Sequence, residues 1–487
     1  MWNVLVDYWP HILAVISVVM AAVAIVHVVM SKDEVRAAIG WVGVILLSPI
    51  VGALVYAIAG VNRIRRATMI SERRRATGGD ALHHATFDVS RALVADLYGE
   101  RFAAMKTLGD RVAKHAMTAG NTIRMLDGGD ETYAGMIAAI DGAARSVILE
   151  TYIFDRDAIG LRFAEALTKA RRRGVAVRVL IDAVGARYTV PSIVGTLREG
   201  GVSVDLFNGR LVTGLRLPYA NLRTHRKILV VDGAVAFVGG MNIREGFAGE
   251  FTRGECARDT HFCVGGPVVA DLFSVAAEDW RFTTGEALED EAWRIEPPPS
   301  AHFGAPAFIR AVASGPDSAL ETNHRMLMGA FSVAERSIRI MSPYFLPDRE
   351  LISALATAGR RGVEIDIVVP AENNLFLVER AMTAQFEQVL KNYCRLWRAQ
   401  GPFDHSKLAT VDGVWSFVGS SNLDPRSLRL NFEIDVELLD PGFAGAIDAR
   451  IEAVIATAEP VTIEGLRARP FPLRLADRLL WLGSPYL

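Results

Sequence analysis

The pattern His225-x-Lys227-x4-Asp232 returns unchanged at His405-x-Lys407-x4-Asp412, and each copy is followed ten residues after its Asp by an Asn, Asn242 and Asn422. The copies keep a constant spacing of 180 residues, since 405 − 225 and 422 − 242 give the same difference. The trailing segments agree as well, Phe237-Val-Gly-Gly-Met-Asn242 against Phe417-Val-Gly-Ser-Ser-Asn422. A lone His-x-Lys is commonplace. An eight-position signature repeated with its tail requires two similar folding units, each carrying half of a site.

At 487 residues the chain exceeds one ordinary core, so two units plus appendages are expected. A net charge of −2 gives no basic footprint, which argues against a nucleic-acid partner. Cys256, Cys263 and Cys394 are odd in number and follow no metal-ligand or disulfide spacing, so free thiols in a reducing compartment are expected.

Tyr8 to Ser31 and Ala37 to Val61 run without Asp, Glu, Lys or Arg, and each exceeds the about 20 helical residues that cross a bilayer. A secretory signal would need a basic start, and Met1 to Pro10 has none. A two-helix transmembrane hairpin over 1–66 is expected. Its turn, Ser31 to Arg36, holds Lys32 and Arg36, whereas the flank after the second helix holds Arg63, Arg65, Arg66, Arg73, Arg74 and Arg75. That imbalance predicts a cytoplasmic location for the flank and everything after it. The cluster suits anionic headgroups, although setting topology explains most of it. His27, inside the first span, reads as a packing or interfacial residue.

A polar stretch over 67–107, with Gly78-Gly79-Asp80, reads as a connector with room for one helix. Strand-like and helical patterns then alternate, which is an α/β signature. Strands are predicted at Val147 to Phe154 and Val175 to Asp182, with a helix near Gly160 to Arg173 between them. The order repeats with Ser337 to Phe345, a helix near Arg349 to Arg361, and Val363 to Pro370. Pro297-Pro-Pro-Ser300 disfavours helix and sheet and marks a linker over 297–315. The halves are therefore placed at 108–296 and 316–487.

In a strand, alternate residues share a face, so His225 and Lys227 would point together, as would His405 and Lys407. Such a pair sets a nucleophile or acid beside a fixed cation. Asp232 and Asp412 have the opposite parity and stand in Asp-Gly hairpin dipeptides, so supporting structural work is expected of them within the catalytic set. Asn242 and Asn422 follow Gly-rich turns, where an amide can approach a phosphate oxygen.

These motifs resemble the phospholipase D superfamily, and in particular bacterial cardiolipin synthases. The likeness extends over nearly the whole chain. It rests also on Asn62-Arg-Ile-Arg-Arg66, Glu150-Thr-Tyr-Ile-Phe154, Asn221 to Gly233 and Arg258-Asp-Thr-His-Phe262. Met341-Ser-Pro-Tyr-Phe345, Gly419-Ser-Ser-Asn-Leu-Asp424 and Asn431-Phe-Glu433 complete it. The resemblance implies duplicated α/β halves sharing one pseudo-twofold active site behind a membrane hairpin. It further implies transfer of a phosphatidyl group between two phosphatidylglycerol molecules at the bacterial inner membrane, catalytic body inside, with neither metal nor cofactor. His225 would attack phosphorus and His405 would act as acid and then base. Lys227, Lys407, Asn242 and Asn422 would hold phosphate oxygens, and Asp259 and Glu433 would orient the imidazoles. Asp404 departs from the apolar residue that often precedes the second His. Hydrolysis to phosphatidic acid, or another phospholipid as donor, is the alternative.

His83, His84, His115, His302 and His324 have no counterpart in the other half and read as surface or packing residues. His261 reads as structural within a strand. Leu206 to Arg223 and Phe471 to Leu487 mix apolar and Arg residues, and the first is the expected contact with lipid.

Overall fold

The structure, a computed structural model, describes residues 2–32, 34–60, 87–208, 222–252, 256–295 and 307–484. It divides into two compact units, Met1–Arg65 and Arg66–Leu487. The Arg63 to Arg75 cluster, Gly78 to Asp80, His83, His84, His302, Pro297 to Ser300, most of the Leu206 to Arg223 stretch and the last three residues lie outside the described residues.

In the first unit, one helix, Trp2–Ser31, contains the apolar span Tyr8–Ser31. The second apolar segment is not one helix. It forms Val35–Leu47 and Pro49–Val55, broken at Ser48 (φ −145°, ψ 80°), and continues as a π-turn over Tyr56–Gly60. Pro49 is the cause, because a proline lacks the N–H that would continue the helix and disfavours helical geometry before it. Gly52 lets the broken segment fold back, since a Cβ there would lie 2.5 Å from the Val44 carbonyl oxygen. Ala21, Ala24, Val28, Ile45, Ala53 and Tyr56 pack together. His27 Nδ1 pairs with the Tyr56 hydroxyl at 2.8 Å, the packing role expected of it.

The second unit is built on one sheet. Its first-half strands are β1 (Thr118–Asp127), β2 (Ser146–Thr151), β3 (Ala176–Asp182), β4 (Ser203–Phe207), β5 (Arg223–Thr224), β6 (Ile228–Val231), β7 (Val235–Gly239) and β8 (Thr260–Gly265). The second half contributes β9 (Ala307–Ser314), β10 (Ser337–Met341), β11 (Glu364–Pro370) and β12 (Cys394–Ala399). It continues with β13 (Leu408–Val411), β14 (Trp415–Gly419), β15 (Asn431–Leu439) and β16 (Glu459–Pro460). Each half runs in the same spatial order, β4-β3-β2-β6-β7-β8-β1 and β12-β11-β10-β13-β14-β15-β9, and the two meet where β1 pairs with β9. The order is thus a palindrome about β1 and β9, as a pseudo-twofold requires. Helices Ala158–Arg172 and Arg349–Arg360 cross between matching parallel strands, close to their expected bounds.

The expected connector holds more structure than its polarity suggested. Helices Arg91–Tyr98 and Glu100–Val112 send Val94, Phe102, Ala103 and Met105 into the same core as Phe331, Ile340, Leu355 and Trp415 of the second half. A separate core under the first half is built on Phe154, Phe163, Leu149, Val179 and Leu229. Helix Phe471–Trp481 lies against helix Phe376–Leu390 through the buried Asp477, which pairs with Arg380 at 2.7 Å, and leaves Phe471, Leu473, Leu475 and Leu479 exposed.

Candidate active site

His225 to Lys227 and His405 to Lys407 precede β6 and β13 as extended links instead of lying within strands. Each link is tied to the opposite half. β5 pairs in parallel with Asn431 and Phe432 of β15, and the His225 N–H donates to the Phe432 carbonyl at 2.8 Å. In mirror fashion Arg258 bridges to Asp404, and the His405 N–H donates to the Arg258 carbonyl at 2.7 Å. The side chains cross over too. His225 Nδ1 meets Glu433 Oε2 at 2.9 Å, and His405 Nδ1 meets Asp259 Oδ2 at 2.8 Å. Each imidazole is therefore oriented by a carboxylate of the other half, and Nε2 is left for chemistry. Neither half alone supplies an oriented histidine.

Both lysines are buried and donate to the carbonyl of their own His, Lys227 at 2.6 Å and Lys407 in the same way. Tyr152 packs against His225 with ring centres 5.2 Å apart, and Tyr344 against His405 at 6.0 Å. The Lys227 ammonium lies 5.5 Å from the Tyr152 ring centre. Asn242 is fixed by accepting from the Ile153 N–H at 3.2 Å, while the Tyr133 hydroxyl donates to its carbonyl at 2.6 Å. Asn422 Oδ1 is buried without a hydrogen-bond partner among the described residues, and its amide lies 3.4 Å from Ser427 Oγ. His225, His405, Asn242, Asn422, Tyr152 and Tyr344 line one cavity of about 810 Å³. Tyr188 and Leu375 line it too, and both are exposed together with their chain neighbours Val190, Phe376 and Leu377.

Burial of this cluster favours neutral groups. Burial first, and then the two lysines, hold both imidazoles well below the usual histidine range. Burial and the neighbouring Lys407 lower Lys227 to about 7, and burial lowers Lys407 to about 8. Burial lifts Asp259 to about 7, against the opposing Lys407 charge. Burial also raises Glu433, but its carboxylate accepts from Ser420 Oγ at 2.6 Å and from Asn431 Nδ2 at 3.2 Å. The position matching Ser420 in the first half is Gly240, where a Cβ would stand 2.8 Å from Asp259 Oδ1. Among the described residues Asp259 thus has no equivalent hydroxyl donor, and the pseudo-twofold is broken next to the histidines.

Asp232 and Asp412 lie elsewhere. Both occupy left-handed backbone in the hairpin turns (φ 54° and 55°), at the far end of β6 and β13 from the histidines. Asp232 accepts from the N–H groups of Ala144, Arg145 and Ser146 at 2.7–2.8 Å, and Asp412 from those of Glu335, Arg336 and Ser337 at 2.7–3.0 Å. These carboxylates join β6 to β2 and β13 to β10 and do not meet the cavity. The structure sets them apart from the histidines, at the turn positions where their parity led us to expect supporting structural work. His261 is buried in β8, its ring nitrogens without a hydrogen-bond partner among the described residues and its ring pressed against Gly239, His115 pairs with Asp271 at 3.0 Å, and His324 with Asp348 at 2.9 Å. Asp404 is absorbed by Arg450 at 2.8 Å and by the Ser406 hydroxyl at 2.6 Å.

Sequence reasoning gave no role to Tyr152 or Tyr344, although the two halves carry them at matching places in Tyr-Ile-Phe154 and Tyr-Phe345. It also passed over Ser420, which breaks the repeat and leaves no duplicated signal.

Residues 136–248 and 327–455 match a family described as cardiolipin synthase, PLD-like domain, and residues 19–60 match one described as phospholipase D-nuclease N-terminal. Cardiolipin synthase A of Pseudomonas aeruginosa (strain LESB58) is 33% identical over 96% of this chain and 94% of its own. Cardiolipin synthase of Geobacillus sp. (strain WCH70) is 29% identical over 99% and 96%. Phosphatidylserine synthase of Haemophilus influenzae Rd KW20 shares the fold, with a TM-score of 0.58 and 17% identity over 79% of this chain and all of that one. With identity at this level along nearly its whole length, and with both halves matched, the chain belongs to the bacterial cardiolipin synthases of the phospholipase D superfamily.

Proposed function

We propose that the protein is a phosphatidyltransferase that joins two phosphatidylglycerol molecules into cardiolipin and releases glycerol. The observation that carries the mechanism is the crossed pairing of His225 with Glu433 and His405 with Asp259 in one cavity. Neutral His225 attacks the phosphorus through Nε2, forming a P–N bond as the P–O bond to the glycerol headgroup breaks. His405 gives its Nε2 proton to the departing oxygen. Now neutral, His405 takes the proton from the headgroup hydroxyl of a second phosphatidylglycerol. That oxygen forms the new P–O bond, the P–N bond breaks, and His225 returns to its starting state.

Two features favour this division of labour. The Ser420 and Asn431 donors favour the anionic form of Glu433 against its burial, and in that form it accepts from Nδ1 of His225 and leaves Nε2 with its lone pair. Asp259 lacks the hydroxyl donor and is lifted to about 7, so the Asp259–His405 pair retains a proton near neutral pH. An arriving phosphodiester anion offsets the lysine charges that otherwise keep His405 neutral. Lys227, Lys407, Asn242 and Asn422 hold the oxygens on which charge develops.

The donor is a membrane lipid, and the exposed apolar residues Tyr188, Val190, Leu375, Phe376 and Leu377 at the cavity suit contact with a bilayer. The amino-terminal unit anchors the enzyme in the inner membrane as a hairpin, with the body on the cytoplasmic side. Incubating purified protein with headgroup-labelled phosphatidylglycerol and resolving the lipids tests the reading. Cardiolipin with stoichiometric glycerol supports it, whereas phosphatidic acid with glycerol indicates hydrolysis.

A further inference from the structure

Cardiolipin formation, on the reading above, has a discrimination problem that the duplicated motifs do not solve. The acceptor hydroxyl of phosphatidylglycerol is chemically the same as a hydroxyl of the glycerol just released. What distinguishes the two near the reacting centre is the acceptor's own phosphodiester, an anion that stays intact and lies one glycerol away from the phosphorus under attack. The repeated His, Lys and Asn residues serve the reacting phosphate. A site for the second phosphate needs a further cation, present once.

Among the described residues that line the cavity, three are arginines: Arg223, Arg244 and Arg426. Arg244 is engaged by Asp155 at 3.2 Å, and Arg223 donates to the Leu222 carbonyl at 2.8 Å and stands 3.9 Å from Asp182. Arg426 is half-buried in the short helix Pro425–Arg429, and among the described residues its guanidinium has neither a hydrogen bond nor an ion pair. The nearby Asp424 caps that helix, accepting from the Ser427 N–H at 2.8 Å, and interacts with Arg426 through charge without a salt bridge. Arg426 also breaks the repeat. Its counterpart 180 residues earlier is Gly246, which lines the same cavity and has no side chain.

We propose that Arg426 binds the non-reacting phosphate of the acceptor lipid, and so selects a phosphatidylglycerol over free glycerol as the attacking alcohol. A guanidinium donates two parallel hydrogen bonds to phosphate oxygens and keeps its charge at all working pH values. Its field reaches the reacting centre. After burial and the two lysines, Arg426 is among the groups that keep His225 neutral. A cation held that close fixes the acceptor hydroxyl at the phosphorus by proximity.

Two rates on the full chain in mixed micelles test the proposal: cardiolipin formation, and exchange of labelled glycerol into phosphatidylglycerol. Exchange uses a neutral acceptor but the same histidines and the same donor. In Arg426→Gln the ratio of cardiolipin formation to exchange should fall about tenfold or more, from loss of a charge-assisted contact, with a higher KM for phosphatidylglycerol as acceptor. Arg426→Lys should recover part of the ratio. An equal fall in both rates would overturn the proposal, because Arg426 would then act on the reacting phosphate or on the fold. An unchanged ratio would overturn it too. Unsubstituted protein that exchanges glycerol yet makes no cardiolipin would instead refute the cardiolipin reading itself, and the proposal with it.

Discussion

Replacing Glu433 by Gln should damage the histidine of the other half, and do so at one chemical step. The His225 Nδ1 to Glu433 Oε2 contact is 2.9 Å, with Glu433 fully shielded from water, so little solvent can substitute for it. Gln keeps the length and one oxygen for Ser420 and His225, and the fold should survive. What is lost is the anionic acceptor that fixes the Nδ1–H tautomer and stabilises positive charge on the ring as the P–N bond forms. A hydrogen bond to a charged group contributes about 1.5–3 kcal/mol, or roughly 10- to 150-fold in rate. A phosphatidyl ester of nitrophenol isolates that step, because its leaving group needs no acid. Rapid-quench measurement of the nitrophenol burst should therefore be slowed by that factor in Glu433→Gln. Asp259→Asn should keep a nearly normal burst and instead lose turnover, since His405 can no longer activate the incoming hydroxyl. The opposite pattern would make His405 the nucleophile. Normal bursts and normal turnover in both variants would refute the crossed orientation of the imidazoles.

The lysines predict an opposed dependence of activity and stability on pH. With Lys227 at about 7 and Lys407 at about 8, the free enzyme loses phosphate-binding charge as pH rises through 7–8, so kcat/KM should fall there. A bound phosphodiester retains those protons, and the fall in kcat should come at higher pH. Over the window from these values up to the unfolded lysine range the unfolded chain binds more protons, so this pair adds stability with rising pH, visible in denaturant midpoints. Lys407→Arg should remove its share of both trends. Asp412→Ala strands three backbone N–H groups beside β10 and should cost about 3 kcal/mol in denaturation, with the burst per folded molecule unchanged. The half-exposed Asp232 should cost less when replaced. Lost turnover at an unchanged melting midpoint would contradict the structural assignment. A protein beginning at Ala76 should retain activity on detergent-dispersed lipid, because among the described residues no cavity-lining residue precedes Tyr152; a folded but inactive body would show that the amino-terminal unit builds the lipid site. For sidedness, Cys394 is a poor probe, being buried with its thiol pushed up to about 12 by that burial. The half-exposed Cys256 should resist an impermeant reagent in intact cells, and ready labelling would place the body outside.

The repeat alone determined much of this protein. A spacing constant over His225, Lys227, Asp232 and Asn242 requires two equivalent units, and the alternation of short apolar runs with helical patterns defines α/β halves, because strand and helix periodicities are local properties of sequence. The Asp-Gly turns were legible for the same reason: left-handed backbone at two successive residues is a demand that few dipeptides meet. The break at Ser48 was also written in the sequence, in Pro49, but a count of apolar residues passes over it. Other features could not be read locally. The connector's apolar residues are too sparse to announce a core, and Val94, Phe102 and Met105 acquire one only by meeting Phe331 and Trp415 more than two hundred residues away. The exchange of carboxylates between halves, with Glu433 serving His225 and Asp259 serving His405, depends on β1 meeting β9 and so bringing β8 and β15 to the dyad. The same holds for what distinguishes the histidines. Gly240 against Ser420 and Gly246 against Arg426 are single unmatched residues, silent in a repeat, and they gain meaning only when the tertiary fold superposes the two halves around one cavity.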